Sequence, residues 1–218
     1  MERSLKVLHV LRPVSGGMRQ HLLGLVNHLP PGQVETVIVC ARGSLGIQSS
    51  ELPQAKIIPL NIQEDLDLKN TLSIAGKILQ IALAEQVDLI HAHGVIAGLL
   101  CFVAMLNRRK RFQVVCTFHN QFRTSANRFQ NMINRLLVQF LAFHVNGIVT
   151  VSQAIYKELV EDLKIFPHKI SCIYNGVDLT VLTAGQPQNN CLRRELGIPD
   201  AALLIGTVAR LIPQKGIG

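Results

Sequence analysis

Leu5-Lys-Val-Leu-His-Val-Leu11, followed by Arg12-Pro13 and then by Gly16-Gly17, is the stretch that decides the fold. A short, nearly continuous apolar run bounded by turn residues reads as a strand buried on both faces. The glycine pair punctuates it. Met18 to Leu29 then carries apolar residues at 18, 22, 25, 26 and 29, a helical stripe stopped by Pro30-Pro31. Buried strand, glycine turn and amphipathic helix make the opening unit of a parallel sheet.

The same alternation continues outward. Val34 to Ala41, Ala55 to Leu60, Val87 to Ala92, Phe112 to Phe118, Gly147 to Val151 and Lys169 to Tyr174 read as strands. Leu66 to Gln86, Val95 to Asn107, roughly Asn127 to Val145, and Gln153 to Leu163 read as helices. Apolar strands separated by helices call for an α/β fold: a doubly wound, parallel, Rossmann-like sheet with right-handed crossovers. The polar stretch Thr183 to Asn190 reads as a linker. Beyond it, Leu203 to Ala209 reads as the first strand of a second α/β domain, entering the basic loop Arg210 to Gly216. The expected division is a first domain over 1–178, a linker over 179–200, and the start of a truncated second domain over 201–218.

Composition narrows the function classes. Apolar content of 48% with 17% charged residues excludes disorder, and the longest apolar run, Val95 to Leu106, is too short to span a bilayer. With no secretory leader before the first strand, a cytoplasmic protein is expected. The five cysteines show no ligand spacing, so neither a metal nor a disulfide is expected from them. The net charge of +8 asks for an anionic partner, a nucleotide phosphate or an acidic membrane surface. Nucleic acid is not expected: aromatics are 5% and no recognition motif occurs.

In open parallel sheets ligands bind at the carboxyl ends of the strands, so the loops there carry the chemistry. Gly16-Gly17 would let backbone N–H groups approach a phosphate at a helix N-terminus, and would equally suit a plain tight turn. His91 and His93 share one strand face, suited to a cleft, a metal or core packing. No third ligand stands at a recognisable spacing, so no metal is expected. Thr117-Phe-His119-Asn120 places another histidine at the end of the neighbouring strand, apt for hydrogen bonding a polyhydroxylated or phosphorylated substrate. Ser152 reads as a helix cap, and Asn175-Gly176 as a turn leading the chain out of the domain.

Taken in order, Gly16-Gly17, His91-Ala-His93-Gly94, Thr117-Phe-His119, Val151-Ser152, Asn175-Gly176-Val177-Asp178 and Val208-Ala-Arg210-Leu-Ile-Pro-Gln-Lys215-Gly216 resemble the retaining glycosyltransferases of family four, of GT-B architecture. The resemblance implies an N-terminal acceptor-side domain, and transfer of a sugar from a nucleotide-sugar to a lipid, saccharide or small-molecule acceptor. It implies that Gly16 and Gly17 face the donor phosphate and sugar, that His119 lies beside the reacting sugar, and that His93 and Asn120 bind substrate. Arg210 and Lys215 would neutralise the donor pyrophosphate. No cofactor or metal is implied, and the fragment lacking its C-terminal domain is expected to be inactive alone. Arg19 stands where many members have an acidic residue, and Asn120 where many have Asp or Gly. The rival readings are a nucleotide-sugar 2-epimerase-like enzyme, which needs acid/base carboxylates, and a non-catalytic module binding an acceptor or partner.

One basic feature lies outside these loops. Arg108 to Arg111 precede a helix bearing Arg128 and Arg135 beside Phe129, Met132, Leu136, Phe140 and Phe143. This pattern reads either as a seat on anionic lipid, peripheral at the inner membrane surface, or as an ordinary core-covering helix.

Overall fold

The computed structural model describes residues 3–13, 16–41, 47–60, 62, 68–106, 112–122, 128–179, 191–199 and 201–208. It separates into two compact units, Met1–Val177 and Asp178–Gly218. In the first, β1 (Leu5–Leu11), α1 (Gly17–Asn27), β2 (Val34–Cys40), β3 (Ala55–Pro59), α2 (Leu68–Ala84), β4 (Leu89–His93) and α3 (Val95–Met105) follow one another. Then come β5 (Gln113–Phe118), α4 (Arg128–His144), β6 (Gly147–Thr150), α5 (Gln153–Lys157) and β7 (Ile170–Cys172).

The strands form one seven-stranded sheet in the order β3-β2-β1-β4-β5-β6-β7, every pair parallel. The order reverses between β1 and β4, where a doubly wound sheet opens its crevice. Side chains alternate between faces with period two. Leu8, Val10, Val37, Val39, Ile90, Ala92, Val114 and Cys116 join the larger core beneath α2, α3 and α4, while Leu11, Ile38 and Cys40 pack with Leu22 and Val26 of α1. Leu100 and Cys101 of α3 are wholly buried, and a Cβ on Gly98 would lie 2.5 Å from Leu141 of α4 and 3.2 Å from Cys116 Sγ. Glycine is what lets α3 approach both neighbours.

The reading of the elements needs three corrections. The helix after β6 is α-helical only through Lys157; Glu158–Asp162 is a π turn, closed by the Leu163 N–H donating to Glu158 O. The wider turn lets Leu159 and Leu163 both face the core. Asn175-Gly176 is not a turn: Ile173 N–H continues the ladder to Thr150 O, and Gly176 lacks a positive φ. Leu203 to Val208 forms no strand, and Leu203, Ile205 and Val208 are exposed, since among the described residues of the second unit there is no strand to pair with. Within the expected linker, Cys191–Glu195 forms a short helix, α6, and Arg193 donates to the Pro199 and Ala202 carbonyls.

Candidate functional site

Period-two alternation and register assemble the site. His9, His91, His93 and Thr117 all occupy the strand positions that point away from the larger core, toward the α1 side. His9 is the direct register partner of His91, and His93 that of Thr117. Helix α1 crosses this face and adds His21, and the segment after β5 adds His119. Five imidazoles result, in one contiguous group. His9 Nδ1 and His93 Nε2 are 3.2 Å apart, His93 Nδ1 and His119 Nε2 3.4 Å, and His91 Nε2 lies 2.7 Å from Thr117 Oγ1. The rings of His91 and His93 stack with centroids 4.3 Å apart, and those of His21 and His119 meet edge-on at 4.9 Å.

The cluster is kept neutral by its surroundings. Burial, reinforced by neighbouring imidazoles, holds His9 and His93 well below the ordinary histidine range. Burial, then the charge of neighbouring histidines, takes His91 and His119 down to about 4. His21 is lowered by burial and partly restored by a hydrogen bond with the Asn175 side chain. Neutral imidazoles each offer one donor and one acceptor, as hydroxyl recognition requires. His9 Nε2, His21 Nε2 and His119 Nδ1 are buried without a protein partner.

Backbone geometry opens the cleft beside this group. Gly16 (φ 72°) and Gly94 (φ 88°) stand at the N-caps of α1 and α3, in a conformation that residues with a Cβ rarely adopt. Gly94 N–H donates to Thr117 O at 2.9 Å, tying the two strand ends together. The cleft has a volume of about 310 Å³; its wall includes Arg12, Met18, His93, His119, Asn120 and Leu137. The segment behind His119 is held by Glu158, a buried carboxylate that accepts the Phe122 N–H with both oxygens at 3.2 Å.

Of the residues singled out from sequence, Gly16, Gly17, His93, His119 and Asn120 lie at the carboxyl edge of the sheet, His93 fully buried and Asn120 exposed. Arg210 and Lys215 lie outside the described residues. Ser152 caps α5, accepting the Ile155 N–H. Arg19, which stands where many family members have an acidic residue, forms an ion pair with Glu51. Sequence reasoning missed His9, His21, Asn175 and Glu158. Parity along β1 was the available signal for His9; the others depend on packing. The imidazoles that join His91 and His93 come from other elements, at spacings the sequence does not mark.

Helix α4 forms the outer wall. Only Val138, Leu141 and Ala142 are buried; Phe129, Met132, Leu136, Phe140 and Phe143 are exposed. No described helix is long and apolar enough to cross a membrane.

Comparison with known proteins agrees with this architecture. The chain is 25% identical over 220 residues to an Escherichia coli UDP-Gal:alpha-D-GlcNAc-diphosphoundecaprenol alpha-1,3-galactosyltransferase, covering 97% of this chain and 55% of that protein. It is 26% identical over 219 residues to a D-inositol 3-phosphate glycosyltransferase of Corynebacterium efficiens, covering 93% and 51%. The chain thus spans about half the length of the curated relatives it matches. In fold it is similar to Anabaena HepE, solved in complex with UDP-glucose, with a TM-score of 0.64 at 19% identity over 88% of this chain and 50% of that one. Residues 15–181 match the profile of Glycosyltransferase Family 4, and the chain belongs to that family.

Proposed function

We propose that this chain is the acceptor-side half of a retaining glycosyltransferase that moves a sugar from a nucleotide-sugar onto a lipid-linked acceptor at a membrane surface. The observation that carries the reading is the convergence of His93, His119 and Asn120 on one cleft at the carboxyl edge of the sheet, beside the Gly16-Gly17 helix N-terminus. In this reading His119 hydrogen-bonds the reacting sugar and His93 backs it from the buried side. Asn120 contacts the acceptor. The N–H groups at Gly16 and Gly17 face the donor phosphate, where the helix dipole favours negative charge. Arg210 and Lys215 stabilise the leaving diphosphate, whose developing charge requires cations placed in advance. As proposed, the transfer uses no metal, and residues 201–218 begin the donor-side domain.

The acceptor assignment rests on α4. Its exposed Phe129, Met132, Leu136 and Phe143 lie on the helix that also lines the cleft through Asn134 and Leu137, and Arg128 and Arg135 flank them. Apolar side chains among arginines suit an anionic interface, from which a lipid-linked sugar could enter the cleft without leaving the bilayer. The similarity to a galactosyltransferase whose acceptor is alpha-D-GlcNAc-diphosphoundecaprenol supports the same class of acceptor. The epimerase-like alternative is less favoured, because no carboxylate occurs among the described residues lining the cleft.

The test is transfer from labelled UDP-sugars to an undecaprenyl-diphosphate-linked sugar in vesicles. The purified chain is assayed alone and with the donor-side polypeptide of a relative. Transfer is expected only in the combined reaction, and it should fall at least about tenfold with His119→Ala. Turnover by the chain alone would put the donor site within these residues; binding of UDP-sugar without transfer to any acceptor would overturn the acceptor-side assignment.

A further inference from the structure

We infer that His21, His93 and His119 form a binding site for a zinc ion at the inner end of the cleft. Their ligand atoms, one from each residue, all lie within 4.8 Å of one another. Three nitrogens bound tetrahedrally at about 2.0–2.1 Å from zinc would stand about 3.3 Å apart. His93 Nδ1 and His119 Nε2, at 3.4 Å, already have that separation, and a modest inward movement of α1 or of the His21 ring completes the set. His21 Nε2 and His119 Nδ1 are buried without a protein partner, so the trio is short of hydrogen bonds in the chain by itself.

A second group of the same kind, His9, His91 and His93, is less suited. His9 and His93 are both wholly enclosed there, and His91 Nε2 is engaged with Thr117 Oγ1 at 2.7 Å. The His21 group is half open: His93 and His119 line the cleft, so a water or anion can occupy the fourth position. The other nitrogen of His93 faces His9 Nδ1 at 3.2 Å. That contact is the outer hydrogen bond that orients a metal-bound imidazole and sets its tautomer. The absence of thiolates and carboxylates from the trio selects zinc, nickel or copper over magnesium or calcium. The inference concerns binding only: zinc at this trio would occupy His93 and His119 in competition with the sugar of the proposed transfer, and takes no part in that reaction.

Titration of the full 218-residue chain with zinc chloride, followed by calorimetry and thermal unfolding, tests it. One zinc per chain is expected, with a higher unfolding temperature, because the ion binds only the folded arrangement. His21→Ala and His119→Ala should each weaken binding at least about tenfold. A triple change of the exposed His28, His144 and His168 to Ala should leave it intact. Circular dichroism of each variant separates loss of the site from loss of the fold. X-ray absorption of the zinc-loaded unaltered chain needs no variant and should register three imidazole ligands. No binding, fewer than three imidazoles, or undiminished affinity in folded His21→Ala would overturn the inference.

Discussion

The inner end of the cleft and the outer face of α4 depart from ordinary solvation in opposite directions. At the cleft, His9, His91, His93, His21 and His119 are wholly or partly buried; on α4, Phe129, Met132, Leu136, Phe140 and Phe143 are exposed. Buried polar groups and clustered exposed apolar ones are the two placements that folding alone does not favour. The histidine group behind the cleft is anchored on the central strands β1 and β4, where His9 and His91 are register partners. The α4 face hangs on three buried residues. The contrast separates residues whose change should disturb stability from residues whose change should disturb only what the molecule touches.

Acid should break the inner region first and by the largest amount. Folded His9, His91 and His93 are held neutral, whereas in the unfolded chain they take up protons below about pH 6.5. The unfolded state therefore binds more protons, and stability is lost as pH falls through this window, by up to about 1.4 kcal/mol per pH unit for each fully buried imidazole. The His91 contribution should level off near its folded value of about 4. Urea unfolding midpoints between pH 7.5 and 4.5 check this; a flat profile would mean the cluster is hydrated in solution.

Gly98→Ala should be next in size. Its new methyl group meets Leu141 and Cys116 inside the core, an overpacking that costs about 1–3 kcal/mol. Equilibrium unfolding of the variant measures it directly. An unchanged midpoint would show that α3 and α4 separate easily, blurring the line between rigid interior and exposed wall.

On the outer face the expected effect is on binding. Phe129→Asp with Phe143→Asp should lower partitioning onto phosphatidylglycerol vesicles at least about tenfold, while leaving the unfolding temperature within a degree or so, because both rings are already solvent-exposed. Sedimentation with vesicles and a thermal melt give the two readouts. Undiminished vesicle binding would move the lipid contact elsewhere. The smallest change concerns neither region: Ser152→Ala removes the hydroxyl that caps α5 and should cost about 1 kcal/mol, read from the same unfolding curves.

Much of the architecture was legible because each signal is local. The apolar run of β1 carries its own boundaries, and Gly16 and Gly94 mark strand-to-helix switches through their backbone conformation. His93 and His119 could be placed on one edge because the carboxyl ends of parallel strands share it. Leu203 to Val208 misled for the complementary reason: β-prone residues form a strand only where another strand accepts their hydrogen bonds. Glu158 was invisible because its role depends on a π turn and on Phe122, which is distant in sequence.

What the sequence by itself determined is the alternation of strand and helix, the family, and the loops that meet at the carboxyl edge. These follow from periodicity and punctuation within a few residues of each position. Only the tertiary structure decided that five histidines form one group, that His21 completes a trio with His93 and His119, and that α4 turns its phenylalanines outward. The physical reason is that β4 pairs with β1 and not with its sequence neighbour β3. Contacts across that join depend on register and crossover, which no local pattern contains.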